Sequence, residues 1–192
     1  GELKKAREVL EQLPLRDVVS WNALMAGYAQ LGQASVVLDL FRRMRNEVMP
    51  DPVTFLILLT SCSHAGLMEE GEKLFDDMHD VYHLDPTLKH YSCMVDLFGR
   101  AGHFDKAQML LDKMPYSDHL PLFLSVLGAC RKWLNVKLGR WAFEQSIKLD
   151  EKCVVAYVCM ENIYAAAGMQ EKAREIEAWK VNNTLRTKQI QS

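Results

Sequence analysis

One turn recurs down the whole chain at an uneven interval. Gly32, Gly66, Gly102 and Gly168 each follow one apolar helical segment and precede another, with Gly1 and Leu134 standing at the corresponding places. From Gly1 onward the spacings are 31, 34, 36, 32 and 34 residues. A turn that returns at such a period marks stacked helical hairpins, each of which buries its apolar face only against its neighbours.

The residues around the turn return at fixed offsets. Eleven positions before it stands an aromatic residue in every unit: Trp21, Phe55, Tyr91, Phe123 and Tyr157. Three positions further on come Leu24, Leu58, Met94, Val126 and Met160, and four positions before the turn come Tyr28, Cys62, Phe98, Cys130 and Tyr164. Spacings of three, four and seven put these columns on one buried stripe of a first helix. A second helix follows the turn, with Leu40, Phe41 and Met44, then Leu74, Phe75 and Met78, then Leu110, Leu111 and Met114. Val9, Leu10 and Leu13 repeat that pattern at the start, as the second half of a repeat would. Glycine suits the left-handed residue that closes a helix, and Pro50, Pro86 and Pro115 are expected to stop the second helices. In the fourth turn, Trp133-Leu134-Asn135, asparagine is expected to supply the left-handed residue. Hairpins are predicted over 18–46, 52–82, 88–114, 120–149 and 154–185. The polar stretch after 185 either frays or continues the last helix.

Composition and spacing then exclude several kinds of chemistry. No apolar run approaches the roughly 20 residues that span a bilayer, so no membrane partner is expected. The five cysteines form no C-x-x-C, and Cys62 and Cys130 share one helix column, so buried free thiols in a reducing compartment are expected. Cys62-x-His64 with His79-x-x-x-His83, and His90-x-x-Cys93, carry zinc-ligand residue types. The helical register points Cys62 into the core and sets His79 and His83 near a helix end, against a shared site. Gly99-Arg100-Ala101-Gly102 lies at a helix end and not after a strand, unlike a phosphate loop. Glu69-Glu70 and Asp76-Asp77, with Lys73 between them, read as a solvated helix face. No catalytic site and no cofactor are expected.

At this point the residues carry a family resemblance. Val18-Val19-Ser20-Trp21-Asn22-Ala23-Leu24-Met25-Ala26-Gly27-Tyr28, closing with Leu40-Phe41 and Pro50-Asp51, resembles a pentatricopeptide repeat. Ser61-Cys62-Ser63-His64-Ala65-Gly66-Leu67 and His90-Tyr91-Ser92-Cys93-Met94-Val95-Asp96-Leu97-Phe98-Gly99-Arg100-Ala101-Gly102 resemble the last long and last short repeats of the plant-type PLS class, whose repeat lengths alternate. Leu127-Gly128-Ala129-Cys130-Arg131 and Asn162-Ile163-Tyr164-Ala165-Ala166-Ala167-Gly168 resemble the two E motifs that follow those repeats. The uneven spacings fit this order.

The resemblance implies an all-α fold, a right-handed α-solenoid of antiparallel helical hairpins similar to a tetratricopeptide superhelix. It divides the chain into the second half of a truncated short repeat (1–17), a P-type repeat (18–51), an L-type repeat (52–87), an S-type repeat (88–119), a first E motif (120–153), a second E motif (154–185) and a tail (186–192). The tail lacks the Gly- and Pro-containing segment that often follows the second E motif, and Val48 stands where a glycine usually precedes Pro50.

In the family, each repeat reads one RNA base through the fifth residue of its first helix and the last residue of the repeat. The matching positions are Asn22 and Asp51, a pair that implies a preference for uridine. An asparagine amide offers a donor and an acceptor to a base edge, and a carboxylate orients that amide. Val19 and Val53, at the second position of successive repeats, would sandwich the base. The competing reading leaves Asn22 and Asp51 as surface polar groups that cap or flank helices. Elsewhere the pairs are Leu56 with Thr87, Ser92 with His119, and Leu124 with Cys153. Leucine cannot hydrogen-bond a base, and Ser92 is the one further RNA-contact candidate.

The resemblance implies a specificity factor for organellar RNA, in mitochondrion or chloroplast, with single-stranded RNA as one partner. The E motifs imply cytidine-to-uridine editing and a second partner, a deaminase-domain or other editing-factor protein. The chain itself carries no H-x-E paired with P-C-x-x-C, the zinc deaminase signature, so a binding module and not an enzyme is expected. The alternative is a helical adaptor that binds protein without reading RNA. Charge bears on the choice: 23 Lys and Arg against 25 Asp and Glu give a net charge of −2. Free-standing nucleic-acid modules usually present a strong basic field. The basic groups Arg42-Arg43-Arg45, Arg131-Lys132 with Lys137 and Arg140, and Lys180 with Arg186 and Lys188 read as solvated helix faces. Weak, salt-sensitive RNA binding is expected from this chain alone.

Overall fold

The computed structural model describes residues 2–12, 15–114 and 120–190, with the side chains of 182–190 and of a few residues near the start outside the description. Every element among the described residues is a helix. Their order is α1 (Glu2–Gln12), α2 (Val18–Gln30), α3 (Ala34–Met44), α4 (Pro52–Ala65), α5 (Met68–Asp80), α6 (Leu88–Arg100), α7 (Phe104–Lys113), α8 (Leu120–Trp133), α9 (Val136–Leu149), α10 (Val154–Ala166) and α11 (Gln170–Ile190). The helix bounds match the predicted hairpins, and α11 runs on past residue 185. Pro115 and Leu13 lie outside the described residues.

The chain forms two compact units, Gly1–Ala101 and Gly102–Ser192. In the first, α2 packs on α1, α3 and α4, while α4 also packs on α3, α5 and α6. In the second, α8 packs on α9 and α10, and α10 packs on α9 and α11. First helices thus stack side by side within each unit, and all three of their predicted columns are buried, from Trp21, Leu24 and Tyr28 to Tyr157, Met160 and Tyr164. On the second helices Leu40, Phe41, Met44, Leu74, Met78, Leu111 and Met114 are buried. Phe75 and Leu110 are half-buried instead, and Phe75 meets Tyr91 edge to face with centroids 5.4 Å apart.

The turn has one backbone solution. Gly66 adopts φ 69°, and the N–H of Leu67 behind it donates to the Cys62 carbonyl at 3.0 Å. That bond satisfies one of the carbonyls a helix end leaves without a partner. The same link joins Gln33 to Tyr28, Asn135 to Cys130 and Met169 to Tyr164. The fourth turn differs from its expectation. Leu134 takes the left-handed position at φ 53°, while Asn135 sits at φ −92° and its side chain accepts from the Leu138 N–H at 2.8 Å. Asparagine therefore serves as the N-cap of α9, where its side-chain oxygen is most useful, and leucine carries the backbone strain.

Proline does not stop α3 or α5, whereas α7 ends at Lys113 with Met114 extended, as expected. α3 ends at Met44 and α5 at Asp80, each well before Pro50 and Pro86. In the second case the left-handed residue His83, φ 55°, turns the chain. The repeat ends act as caps: Asp17 accepts from the Ser20 N–H and Asp51 from the Thr54 N–H, both at 2.8 Å.

Thr87 caps α6 through a histidine. The His90 Nδ1 accepts from the Thr87 N–H at 3.0 Å, which leaves Nε2 protonated to donate to the Pro52 carbonyl at 2.8 Å. The ring is buried, and it ties the start of α6 to the start of α4. Burial pushes the imidazole below its ordinary 6.5, against the opposing effect of the bond to Pro52. The unfolded chain takes up the proton near 6.5 while the folded ring resists, so this contribution is complete above that pH and declines below it, until the folded ring also titrates. His90→Gln keeps a donor and an acceptor but cannot titrate. Unfolding free energies measured from about pH 7.5 to pH 5.5 should fall less steeply for the variant than for the parent chain.

Candidate nucleic-acid interface

The packing of α2 against α4 brings the fifth residue of one first helix to the start of the next. The α4 N-terminus has backbone N–H groups without intrahelical acceptors, and the Asp51 carboxylate caps them. Its Oδ1 accepts from the Thr54 N–H at 2.8 Å, and the Asp51 N–H donates back to Thr54 Oγ1 at 3.1 Å. Asn22 joins this cap from α2. Its Nδ2 donates to Asp51 Oδ1 at 3.0 Å, and Thr54 Oγ1 lies 2.8 Å from Asn22 Oδ1 and 2.9 Å from Asp51 Oδ1. Burial pushes the Asp51 carboxyl up, but the hydrogen bonds led by those from the Thr54 N–H and Asn22 outweigh it and hold the group below its ordinary 3.8.

Asp51 thus caps a helix, as the competing reading has it, and the same carboxylate also holds the Asn22 amide. Asn22 is not an open surface group, at 7% exposure. Its amide keeps one N–H and one oxygen lone pair beyond the bonds to Asp51 and Thr54. Two exposed apolar residues stand close to the network members in sequence. Val19, one turn before Asn22, is 68% exposed, and Val53, in the first turn of α4, is 52% exposed.

Among the described residues, the other expected positions show no comparable network. Leu56 is half-buried, and its partner Thr87 bonds the His90 ring, Oγ1 to Nδ1 at 2.8 Å. Ser92 is half-buried on α6, while His119 lies outside the described residues. Leu124 is half-buried and Cys153 buried.

Many of the basic side chains are paired. Arg42 bonds Asp39 at 2.6 Å, Arg43 bonds Glu11 at 3.3 Å, Lys137 bonds Asp105 at 3.3 Å, Arg140 bonds Glu144 at 3.0 Å and Lys180 bonds Glu161 at 2.9 Å. Such pairs belong to solvated helix faces. Burial pushes the Cys62 and Cys130 thiols up to about 12, so neither is a ready thiolate. Cys93 and Cys159 are only half-buried, short of the full burial expected for all five.

Thr54 is the member of the site that sequence reasoning missed. A signal existed: Asp51-Pro52-Val53-Thr54 has an N-cap residue followed by a hydroxyl at the third helical position, the pattern of a reciprocal cap. The reach of that hydroxyl to Asn22 is not a sequence property, because it depends on two helices lying side by side.

The comparisons with known proteins follow the same register. A PPR repeat family model matches residues 16–64, and a PPR repeat model matches 53–81 and 89–119. Pentatricopeptide repeat-containing protein At4g14820 of Arabidopsis thaliana is 41% identical over 177 residues, covering 92% of this chain and 24% of the relative. Pentatricopeptide repeat-containing protein At2g22070 of the same organism is 42% identical over 162 residues, covering 84% of this chain and 21% of the relative. The chain thus spans about a quarter or less of these curated relatives. The first alignment, at 177 residues, is too long to stop at residue 119, so the likeness continues into α8–α11. Among solved structures, the pentatricopeptide repeat protein PPR10 from maize superposes with a TM-score of 0.76 at 19% identity, covering 91% of this chain and 25% of that one. A second PPR10 structure, in complex with an 18-nt psaJ RNA element, superposes with a TM-score of 0.69. The fold is thus the α-solenoid of antiparallel helical hairpins that the recurring turn announces. With repeat models matched in register across α2–α7 and relatives near 40% identity through most of the length, the chain belongs to the pentatricopeptide repeat family.

Proposed function

We propose that this chain binds single-stranded RNA and reads one base through Asn22. The observation that carries the reading is the Asn22–Asp51–Thr54 network, a buried amide with one donor and one acceptor to spare. Uracil offers a complementary N3–H beside a carbonyl oxygen. The RNA bound by PPR10, a protein of the same fold, supports this class of partner. Val19 and Val53 supply apolar contact to the two faces of the base, and Ser92 is a secondary contact.

A carboxylate only accepts, so Asp51 favours one orientation of the amide and thereby one base. Asp51→Asn keeps the helix cap but both accepts and donates, which frees the Asn22 amide to turn over. In selections from randomised RNA with the complete protein, one position should favour uridine, by about 10-fold over cytidine. The variant should accept both pyrimidines there, and Asn22→Ala should lose the preference. Unchanged base frequencies in both variants would remove the pair from the readout.

The finer assignment is to site recognition for cytidine-to-uridine editing of organellar RNA. It rests on the order of PLS-like repeats and E-like motifs over residues 52–185. In this reading, residues 120–185 recruit or position a deaminase-domain or other editing-factor protein. Support comes from α8 and α10, where half-buried Leu124 occupies the base-reading place and Val154 and Val155 are exposed. Apolar groups of this kind suit a protein partner better than a base edge.

A further inference from the structure

We propose that Thr54 is a specificity-positioning residue, whose buried hydroxyl fixes which end of the Asn22 amide faces the RNA. The inference rests on the reading of Asn22 as a base contact and deepens it. Turning an asparagine amide over exchanges its donor and acceptor. That exchange decides between the pyrimidines. N3, at the centre of the base edge, is a donor in uracil and an acceptor in cytosine. With the base held between Val19 and Val53, the amide atom facing N3 selects one of them.

Two groups hold the amide. Asp51 takes the Nδ2 proton at 3.0 Å, and Thr54 stands 2.8 Å from Oδ1 at the other end. The threonine hydroxyl has a single proton to give, and its oxygen already accepts from the Asp51 N–H. Asp51 Oδ1 is supplied by Asn22 and by the Thr54 N–H. Thr54 Oγ1 stands 2.9 Å from Asp51 Oδ1 as well, but that oxygen already has two donors, whereas among the described residues Asn22 Oδ1 is offered no donor except this hydroxyl. The proton is therefore assigned to Asn22 Oδ1, which closes a ring in which each bonded group has a partner. Thr54 is fully buried, so no water replaces it without rearrangement. Its effect is on orientation: it touches the amide and not the base.

Thr54→Val removes the hydroxyl at nearly constant volume, and Thr54→Ser retains it. The probes are an RNA selected from a randomised library by the complete parent protein, and the same RNA with cytidine at its Asn22-dependent uridine. The parent and T54S should favour the uridine RNA about 10-fold. T54V should narrow that ratio about fivefold, the loss expected of one hydrogen bond, with both variants fully folded at the assay temperature. A T54V ratio equal to the parent's overturns the inference and leaves Asn22 as a reader. A parent indifferent to the exchange overturns the reading of Asn22, and the inference with it. If T54V does not fold, T54A carries the same comparison against T54S.

Discussion

Phe55→Ala should cost about 3–5 kcal/mol, the range for truncating a buried aromatic. Phe55 is wholly buried and lies at the centre of an aromatic group that closes the middle of the first unit. Its ring meets Phe41 of α3 at 5.9 Å and Tyr82, just beyond α5, at 5.2 Å, both edge to face. Such pairs add about 0.5–1.5 kcal/mol each beyond the area they bury. Three segments therefore lose contacts from one truncation. In a solenoid each hairpin leans on its neighbours, so the loss should appear in α2–α5 together. Chemical unfolding measures the total, and amide hydrogen exchange locates it. Phe55→Leu keeps most of the volume and should cost less than half as much. Equal costs for Ala and Leu would show that apolar volume alone recovers nothing, and that the whole effect lies in the packing of the ring. A second consequence concerns the candidate interface, since Asp51 and Thr54 belong to the first turn of α4. Opening of that helix should weaken RNA binding without changing which base is preferred.

The aromatic column that contains Phe55 is legible because burial is periodic. Columns at fixed distance from a turn need only one helix to be recognised. Tyr82 is different: it belongs to no column, and it joins the core because the chain doubles back after α5 at the left-handed His83. Leu134 shows the same limit. Local preference assigns the left-handed place to Asn135, yet the hydrogen bond from Asn135 to the Cys130 carbonyl repeats the link of the glycine turns and puts Leu134 in that place. There the register set by packing overrides the propensity of one side chain. The strain is of order 1–2 kcal/mol, small beside the columns it keeps aligned.

The candidate site divides in the same way. Asn22 and Asp51 stand at places the repeat itself defines, so a count along the chain finds them. Thr54, His90 and the ties of Thr60 to Cys93 and of Ser63 to Asp96 all join α4 to a neighbouring first helix. None has a spacing that differs from chance until the two helices are placed side by side. These ties are polar where the columns are apolar, and they fix axial register between helices whose apolar faces alone would tolerate sliding. Under the proposed function, a base between Val19 and Val53 would depend on that register.

Gly71→Val should cost about 3 kcal/mol, at the upper end of the range for an overfilled core. Gly71 lies inside α5, where glycine is disfavoured by about 1 kcal/mol against alanine, so its presence needs a packing cause. A Cβ built there stands 2.4 Å from Leu97 Cδ2 and 3.4 Å from Cys62 Cβ. Leu97 and Cys62 are both wholly buried, so neither has free space to move into. Gly139, the residue at the same distance behind its own turn, meets Ile163 Cδ1 at 2.9 Å and Cys130 Cβ at 3.4 Å. The contacts are alike, and the first is the tighter. Gly71→Ala therefore combines a gain in helix propensity with a clash, and it should be more costly than Gly139→Ala when both are measured by chemical unfolding. Shortening the obstructing side chain separates the two terms. In a double-mutant cycle, Gly71→Ala with Leu97→Val should recover at least about 0.5 kcal/mol relative to the sum of the single changes, the coupling expected of residues in contact. An additive pair would show that the close approach of α5 to α6 is relieved by backbone movement, and that Gly71 is required for some reason other than this contact.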